Sequence, residues 1–274
     1  MKKIFFISVV LMFLSCNSVK IKRIEMDYTQ DLIGKIKQIE MSSFRYPTDK
    51  KDTVVHEEKS TAFFDKKNKI IKQIDYYPKF IDETYFNYKN DLLESTVSKI
   101  DKRSSKIEFK YDDKKNIIQY SQLENDTLFF RKTSVYDKQN NRLEETFSHP
   151  RYKDNNNVDK FTNDYKNRTV TIQSFDKNNK PRNHYLINHF DKKGYIIKSE
   201  FIYTDSKKRE PSISISEFDK RGNLTRRFGL DKDGKPKEVT EYKNTYDEKG
   251  NISTREKYSK EKLIEKTVYK ITYR

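Results

Sequence analysis

The sequence predicts an all-β protein: an antiparallel meander of repeated hairpins in one extended, single-layer sheet, twisted or curled, and barrel-like if its ends meet. Three observations predict it. A unit of the form apolar-Asp-x-x-(Gly/Asn)-x-apolar, its first residue almost always aromatic, recurs along the chain. The stretches between copies alternate apolar with polar residues, as half-buried strands do. Tyr (19) and Phe (18) are abundant in a chain only 33% hydrophobic and 36% charged. That balance suits a thin sheet with much surface better than a thick two-layer core.

In chain order, the first residues stand outside the fold. Lys2 and Lys3 precede an unbroken apolar run from Ile4 to Leu14, too short for a bilayer span of ~20 residues. The run ends in Phe13-Leu14-Ser15-Cys16. This resembles the lipobox of bacterial lipoproteins. The resemblance implies a signal peptide over 1–15, lipid attachment at Cys16 and a tether over 16–30. An ordinary cleaved signal peptide with a chance cysteine is the other reading. Cys16 is the only cysteine, so the domain over 31–274 holds no disulfide and no thiolate metal site. No acidic export tag follows Cys16. The expected location is the bacterial cell envelope, periplasm-facing, with the membrane as a partner through the anchor.

The repeat defines the tips. Its copies begin at Phe64, Tyr111, Tyr136, Phe175, Phe190, Phe218, Leu230 and Tyr246, with worn versions at Tyr88 and Tyr165. Each copy carries the turn aspartate: Asp65, Asp112, Asp137, Asp176, Asp191, Asp219, Asp231 and Asp247. Three residues later stand Asn68, Lys115, Asn140, Asn179, Gly194, Gly222, Gly234 and Gly250. Gly and Asn accept a left-handed backbone most readily. An Asp that bonds the backbone two residues on, followed by such a residue, describes a type I turn closed by a G1 bulge. Tip spacing is about 24 residues early and irregular later, from 12 to 28.

The flanks supply the strands, some sixteen to twenty in number. Ile107, Phe109 and Tyr111 share one face, and Lys106, Glu108 and Lys110 the other. After Gly194, strict alternation groups Tyr195, Ile197, Phe201 and Tyr203. At the C-terminus it groups Tyr269, Ile271 and Tyr273. Pro181 and Pro236 open outgoing strands, where a missing N–H is tolerated. The aromatic rows are expected to form the buried face.

These units resemble the YD repeats (Tyr-Asp-x-x-Gly-Asn) of the RHS family and the D-x-x-G-K-P units of MORN-like bacterial repeat proteins. The stretch Asp31-Leu32-Ile33-Gly34-Lys35-Ile36-Lys37-Gln38-Ile39 resembles the opening strand of lipoproteins built from such repeats. The resemblance implies a non-catalytic sheet of hairpins. It does not carry over the toxin-enclosing shell of large RHS proteins, because the chain lacks the length and the toxin domain.

Chemistry is sparse in the sequence. The four histidines include His184 and His189, whose odd separation puts them on opposite faces of a strand. Every carboxylate in register is a turn Asp, which leaves no pair for acid–base work. A single Asp per tip is too few oxygens for Ca²⁺. No catalytic residue, metal site or cofactor is expected, and the chain is read as no enzyme. The formal net charge of +16 either solvates the sheet or draws an anionic glycan, lipid headgroups or an acidic protein. Export excludes nucleic acid. The expected role is a binding or scaffold module acting through a basic, aromatic-rich sheet. The alternatives are an immunity or inhibitor protein against a secreted toxin and, last, a glycan-active enzyme.

Overall fold

The computed structural model describes residues 32–47, 54, 56–100, 103–152, 156–205 and 210–274. The predicted signal peptide, Cys16 and the tether lie outside the described residues. Among the described residues, eighteen strands follow one another. The first six are β1 (Ile36–Arg45), β2 (His56–Phe64), β3 (Ile70–Tyr76), β4 (Ile81–Lys89), β5 (Leu92–Ile100) and β6 (Arg103–Tyr111). Then come β7 (Ile117–Glu124), β8 (Thr127–Tyr136), β9 (Arg142–Ser148), β10 (Asn157–Asp164), β11 (Thr169–Phe175) and β12 (Pro181–Phe190). The last six are β13 (Ile196–Tyr203), β14 (Ser212–Phe218), β15 (Leu224–Leu230), β16 (Pro236–Tyr246), β17 (Ile252–Ser259) and β18 (Lys262–Tyr273).

Each strand pairs antiparallel with the next, and β18 returns to pair with β1, so the sheet closes into a barrel. Ile39 stands opposite both Ala62 of β2 and Ile271 of β18. An open hairpin sheet would end in two unpaired edges, a template for aggregation; closure removes both. A barrel of this strand number is wider than its own side chains can fill. The molecule therefore encloses a lumen, the barrel-like form of the expected sheet.

All eight Asp-first tips have the same backbone. In each, the Asp Oδ1 accepts from the N–H groups two and four residues on, as in Lys67 N and Lys69 N to Asp65 (both 2.8 Å). The residue three after the Asp is left-handed in every copy, from φ 59° at Asn179 to 91° at Gly250. The worn copies are tips too. Asn90-Asp91 forms a two-residue turn with φ of 49° and 65°, and Arg168 takes φ 52° in the turn after Tyr165.

The irregular spacing has a simple cause. Asp65, Asp112, Asp137, Asp191, Asp219 and Asp247 lie on the rim where the chain enters and leaves, with the two worn tips among them. Asp176 and Asp231 close hairpins on the opposite rim. They belong to the two copies that end in Pro. Counted on the entry rim alone, the copies recur once every two strands.

Register decides which face is inside, because paired residues point the same way. Ile39, Ala62, Phe64, Ile70, Ile271 and Tyr273 face inward and form the apolar core, just inside the entry rim. Further along the lumen the inner face turns small and polar. There Ser43 and Thr267 meet at 3.2 Å, and Ser199 Oγ donates to Asn188 at 2.8 Å. An inward aromatic ladder, Phe109–Tyr120–Phe130–Phe147, crosses β6 to β9 with centroids 5.7–6.1 Å apart.

The outer face carries charged ladders instead. Lys72 meets Glu83 at 2.8 Å, Lys106 meets Glu108 at 2.7 Å and Lys266 meets Glu256 at 3.0 Å. One expectation fails here. Ile197 does not join Phe201 and Tyr203: a bulge between His189–Lys198 and Phe190–Ile196 turns Ile196 inward and leaves Ile197 outside, 38% exposed. Ile71, Ile118 and Leu143 are displaced outward by the same bulge after their own tips.

Candidate functional site

On the entry rim each tip is tied to its neighbours. Tyr88 Oη donates to Ile70 O (2.9 Å), Tyr111 to Leu93 O (2.8 Å) and Tyr136 to Ile117 O (3.1 Å). In three places the tie is a triangle. Tyr165 donates to Asp137 (2.5 Å) while Asn141 donates to Tyr165 (2.9 Å). Tyr246 donates to Asp219 (2.8 Å) while Asn223 donates to Tyr246 (3.0 Å). Tyr273 donates to Asp247 while Asn251 donates to Tyr273 (2.7 Å). Each residue of the Tyr-Asp-x-x-Gly-Asn unit thus has a task. Asp and Gly make the turn, Asn braces the Asp, and the Tyr of the next unit locks onto both.

The charges of the tips follow. Burial alone would raise the Asp219 carboxyl. The backbone and side chain of Asn223, Tyr246 and the Arg221 N–H all donate to it and hold it below the ordinary carboxylate range. Asp247 shows the same balance, burial being outweighed by Tyr273, Asn251 and the turn amides. Burial and the bonded carboxylate together push the Tyr246 and Tyr273 phenols up. Asp91, in the tip without a leading Asp, is held down to about 2 by Lys69 and Lys67.

The basic residue two after the turn Asp reaches to the following tip. Lys114 donates to Lys138 O (2.8 Å), Lys193 to Lys220 O (3.3 Å) and Arg221 to Gly250 O (3.2 Å). Part of the lysine surplus is therefore rim cross-bracing.

The termini complete this rim. Ile33 exchanges two hydrogen bonds with Asn251 (2.7 and 2.8 Å), and Gly34 O accepts from Asn68 (2.6 Å). Arg274 donates through its guanidinium to Phe64 O and Ile36 O. Behind this strap lies a cavity of ≈580 Å³. It runs from Arg221, Gly222, Lys249 and Gly250 at the rim to Ile39, Tyr242, Arg255 and Tyr269 inside. Aliphatic side chains (Leu32, Ile33, Ile252, Leu224) and the rings of Tyr195, Phe218 and Tyr246 line it, with three cations and no carboxylate. Tyr195 stacks on Phe218 at 4.9 Å and presses its hydroxyl against Gly222. The size is that of a small-molecule site.

Of the residues named in the sequence, Gly222, Gly250, Phe218, Tyr246, Tyr195, Tyr269, Ile271, Leu32, Ile33 and Ile39 line the cavity, and the tips of Asp219 and Asp247 build its rim. The remaining tip residues lie elsewhere on the two rims. His184 and His189 do face opposite ways: His184 stacks on Phe201 at 4.6 Å inside, and His189 meets Glu200 at 2.5 Å outside. Arg221, Lys249, Arg255 and Tyr242 were not singled out. Alternation marks Tyr242 as lying on the Tyr246 face, but nothing local places the chain's first and last strands beside it.

No protein-family model matches the chain, and no curated protein matches it. Among solved structures, a porin-like protein from Bacteroides uniformis aligns over 88% of this chain and 99% of its own, at 12% identity and a TM-score of 0.44. A porin-like protein from Bacteroides vulgatus aligns over 87% and 98%, at 8% identity and a TM-score of 0.30. The Photorhabdus luminescens Tc holotoxin pore aligns over 82% of this chain and 15% of its own, at 11% identity and a TM-score of 0.34. Likenesses this distant assign no function, so the site is read from this chain's own residues.

Proposed function

We propose that the chain is a non-catalytic binding barrel of the bacterial cell envelope that holds an organic anion in the cavity beneath its termini. The supporting observation is the lining itself: Arg221, Lys249 and Arg255 stand among rings and aliphatic side chains, with no carboxylate. Arg221 and Lys249, both exposed at the mouth of a mostly apolar cavity, favour an anionic guest. The N-terminal sequence supports the location, with lipid attachment at Cys16 holding the barrel at the membrane, periplasm-facing. The outer face agrees with a water-facing barrel on a tether. A barrel crossing a bilayer needs an apolar outer band, whereas this one carries Lys72, Glu83, Lys106, Glu108, Glu256 and Lys266 along its strands.

The test is a fluorescence titration of the chain from residue 17 onward, which contains every described strand, with the anionic probe 8-anilinonaphthalene-1-sulfonate. Saturable one-to-one binding is expected, and Leu224→Trp, which pushes a larger ring into the cavity, should weaken it. Binding that Leu224→Trp leaves unchanged would place the probe elsewhere and end the reading.

A further inference from the structure

We infer that the guest is a single-chain amphiphilic carboxylate, of the fatty-acid type, seated with its head at the rim and its chain along the apolar wall; this rests on the proposed binding role. The division of the cavity carries the inference. Its rim side offers two cations, Arg221 and Lys249. Among the described residues neither meets a carboxylate: Arg221 lies 4.2 Å over the Tyr246 ring and donates to Gly250 O, and Lys249 lies 3.7 Å over the Tyr273 ring. Ring stacking and the Gly250 bond fix both heads in place, so little ordering remains for a guest to cost. Arg221 uses only one of its donors on Gly250, and a guanidinium fork matches a carboxylate.

The wall inward of these cations is mostly apolar. Leu224, Ile252, Ile271 and Ile39 line it, with Ile39 only 3% exposed, beside the rings of Tyr195, Phe218, Tyr242 and Tyr269, and Arg255 stands at its inner end. An acidic sugar would need polar partners around its whole ring of hydroxyls. Here amides come only from Asn223 and Asn251, and both are already spent on Tyr246, Tyr273 and the strap. A flexible hydrocarbon chain asks for no such partners, and each buried CH₂ contributes about 0.8 kcal/mol. The cavity of ≈580 Å³ leaves room for a chain of medium length.

The experiment is calorimetric titration of the chain from residue 17 onward with dodecanoate below its micelle concentration. Dodecanol, butanoate and an oligogalacturonate serve as comparisons. Dodecanoate is expected to bind one to one, about tenfold more tightly than dodecanol, with butanoate and the oligogalacturonate silent. Arg221→Gln and Lys249→Gln should each weaken dodecanoate about tenfold and leave dodecanol unchanged, and Arg221→Lys should restore part of the loss. Thermal melts of the variants establish that they are folded. Equal binding of dodecanol and dodecanoate, or indifference to both variants, would overturn the assignment. If the anilinonaphthalene probe still binds in the cavity but dodecanoate does not displace it, the ligand class falls and the binding role stands. If neither binds, both fall.

Discussion

Glycine at a tip is required for two separable reasons, and the chain offers a clean comparison. Gly222 and Gly234 are both left-handed, with φ of 86° and 75°. A Cβ at Gly234 would meet nothing within 4 Å, whereas one at Gly222 would sit 1.9 Å from the Tyr195 hydroxyl. Tyr195 cannot swing aside, being 7% exposed and stacked on Phe218. Gly234→Ala should therefore cost about 1 kcal/mol, the backbone strain alone. Gly222→Ala should cost about 2–4 kcal/mol, strain plus overpacking. Urea unfolding of the two variants measures the difference, and equal losses would show that Tyr195 yields.

At the scale of the element, the tip is a pH-sensitive unit. Asp112, Asp137, Asp176, Asp219 and Asp247 all have carboxyls held below the ordinary range by turn amides and side-chain donors. Their folded pKa lies below the unfolded one. The stabilisation is thus complete above the unfolded value and is lost as pH falls through the folded one. The urea midpoint should stay flat from pH 7 to about 5 and fall below about 4. Asp247→Asn should lower the midpoint at pH 7 and flatten the acid slope; an unchanged slope would show that the tip carboxylates do not set it. The other decisive element is β1. It alone joins strands distant in sequence, pairing β18 along Gln38–Arg45 and β2 along the same stretch. A chain beginning after Arg45 would expose the edges of β2 and β18 together. It should self-associate on size-exclusion chromatography where the intact barrel runs as a single species. A monodisperse truncated chain would mean that the edges find each other without β1.

Taken whole, the molecule carries charged ladders outside, and inside it is aromatic, aliphatic and small-polar with a few charges, such as Glu145 held by Lys132 and Arg142. A chain from residue 17 onward carrying no lipid should stay soluble without detergent and remain at the bottom of a flotation gradient with neutral liposomes. Flotation would show that the barrel wall itself enters the bilayer. Much of this architecture was legible residue by residue. The Asp with a left-handed residue three positions on, Gly or Asn in seven copies and Lys115 in one, marks eight tips, because both the acceptor and the left-handed backbone are local requirements. Alternation gave the faces of β6 and β18 for the same reason. It failed at Ile197, because a bulge inserts one residue that a strict period cannot count. The two rims were also merged, since a turn motif does not say which end of the sheet it closes. The cavity was invisible. Arg221, Lys249, Tyr242 and Ile39 look like ordinary rim or strand residues until closure brings β1 beside β18.

The amino-acid order by itself determined where the chain reverses, which side chains alternate, and that the product is a sheet of hairpins, because turns and pleats depend on neighbours a few residues apart. Tertiary structure alone decided that the sheet is a tube with an inside. The pairing of Ile36–Arg45 with Glu265–Tyr273 joins the two ends of the domain, and its strength lies in removing two distant edges at once, a property that no local stretch carries.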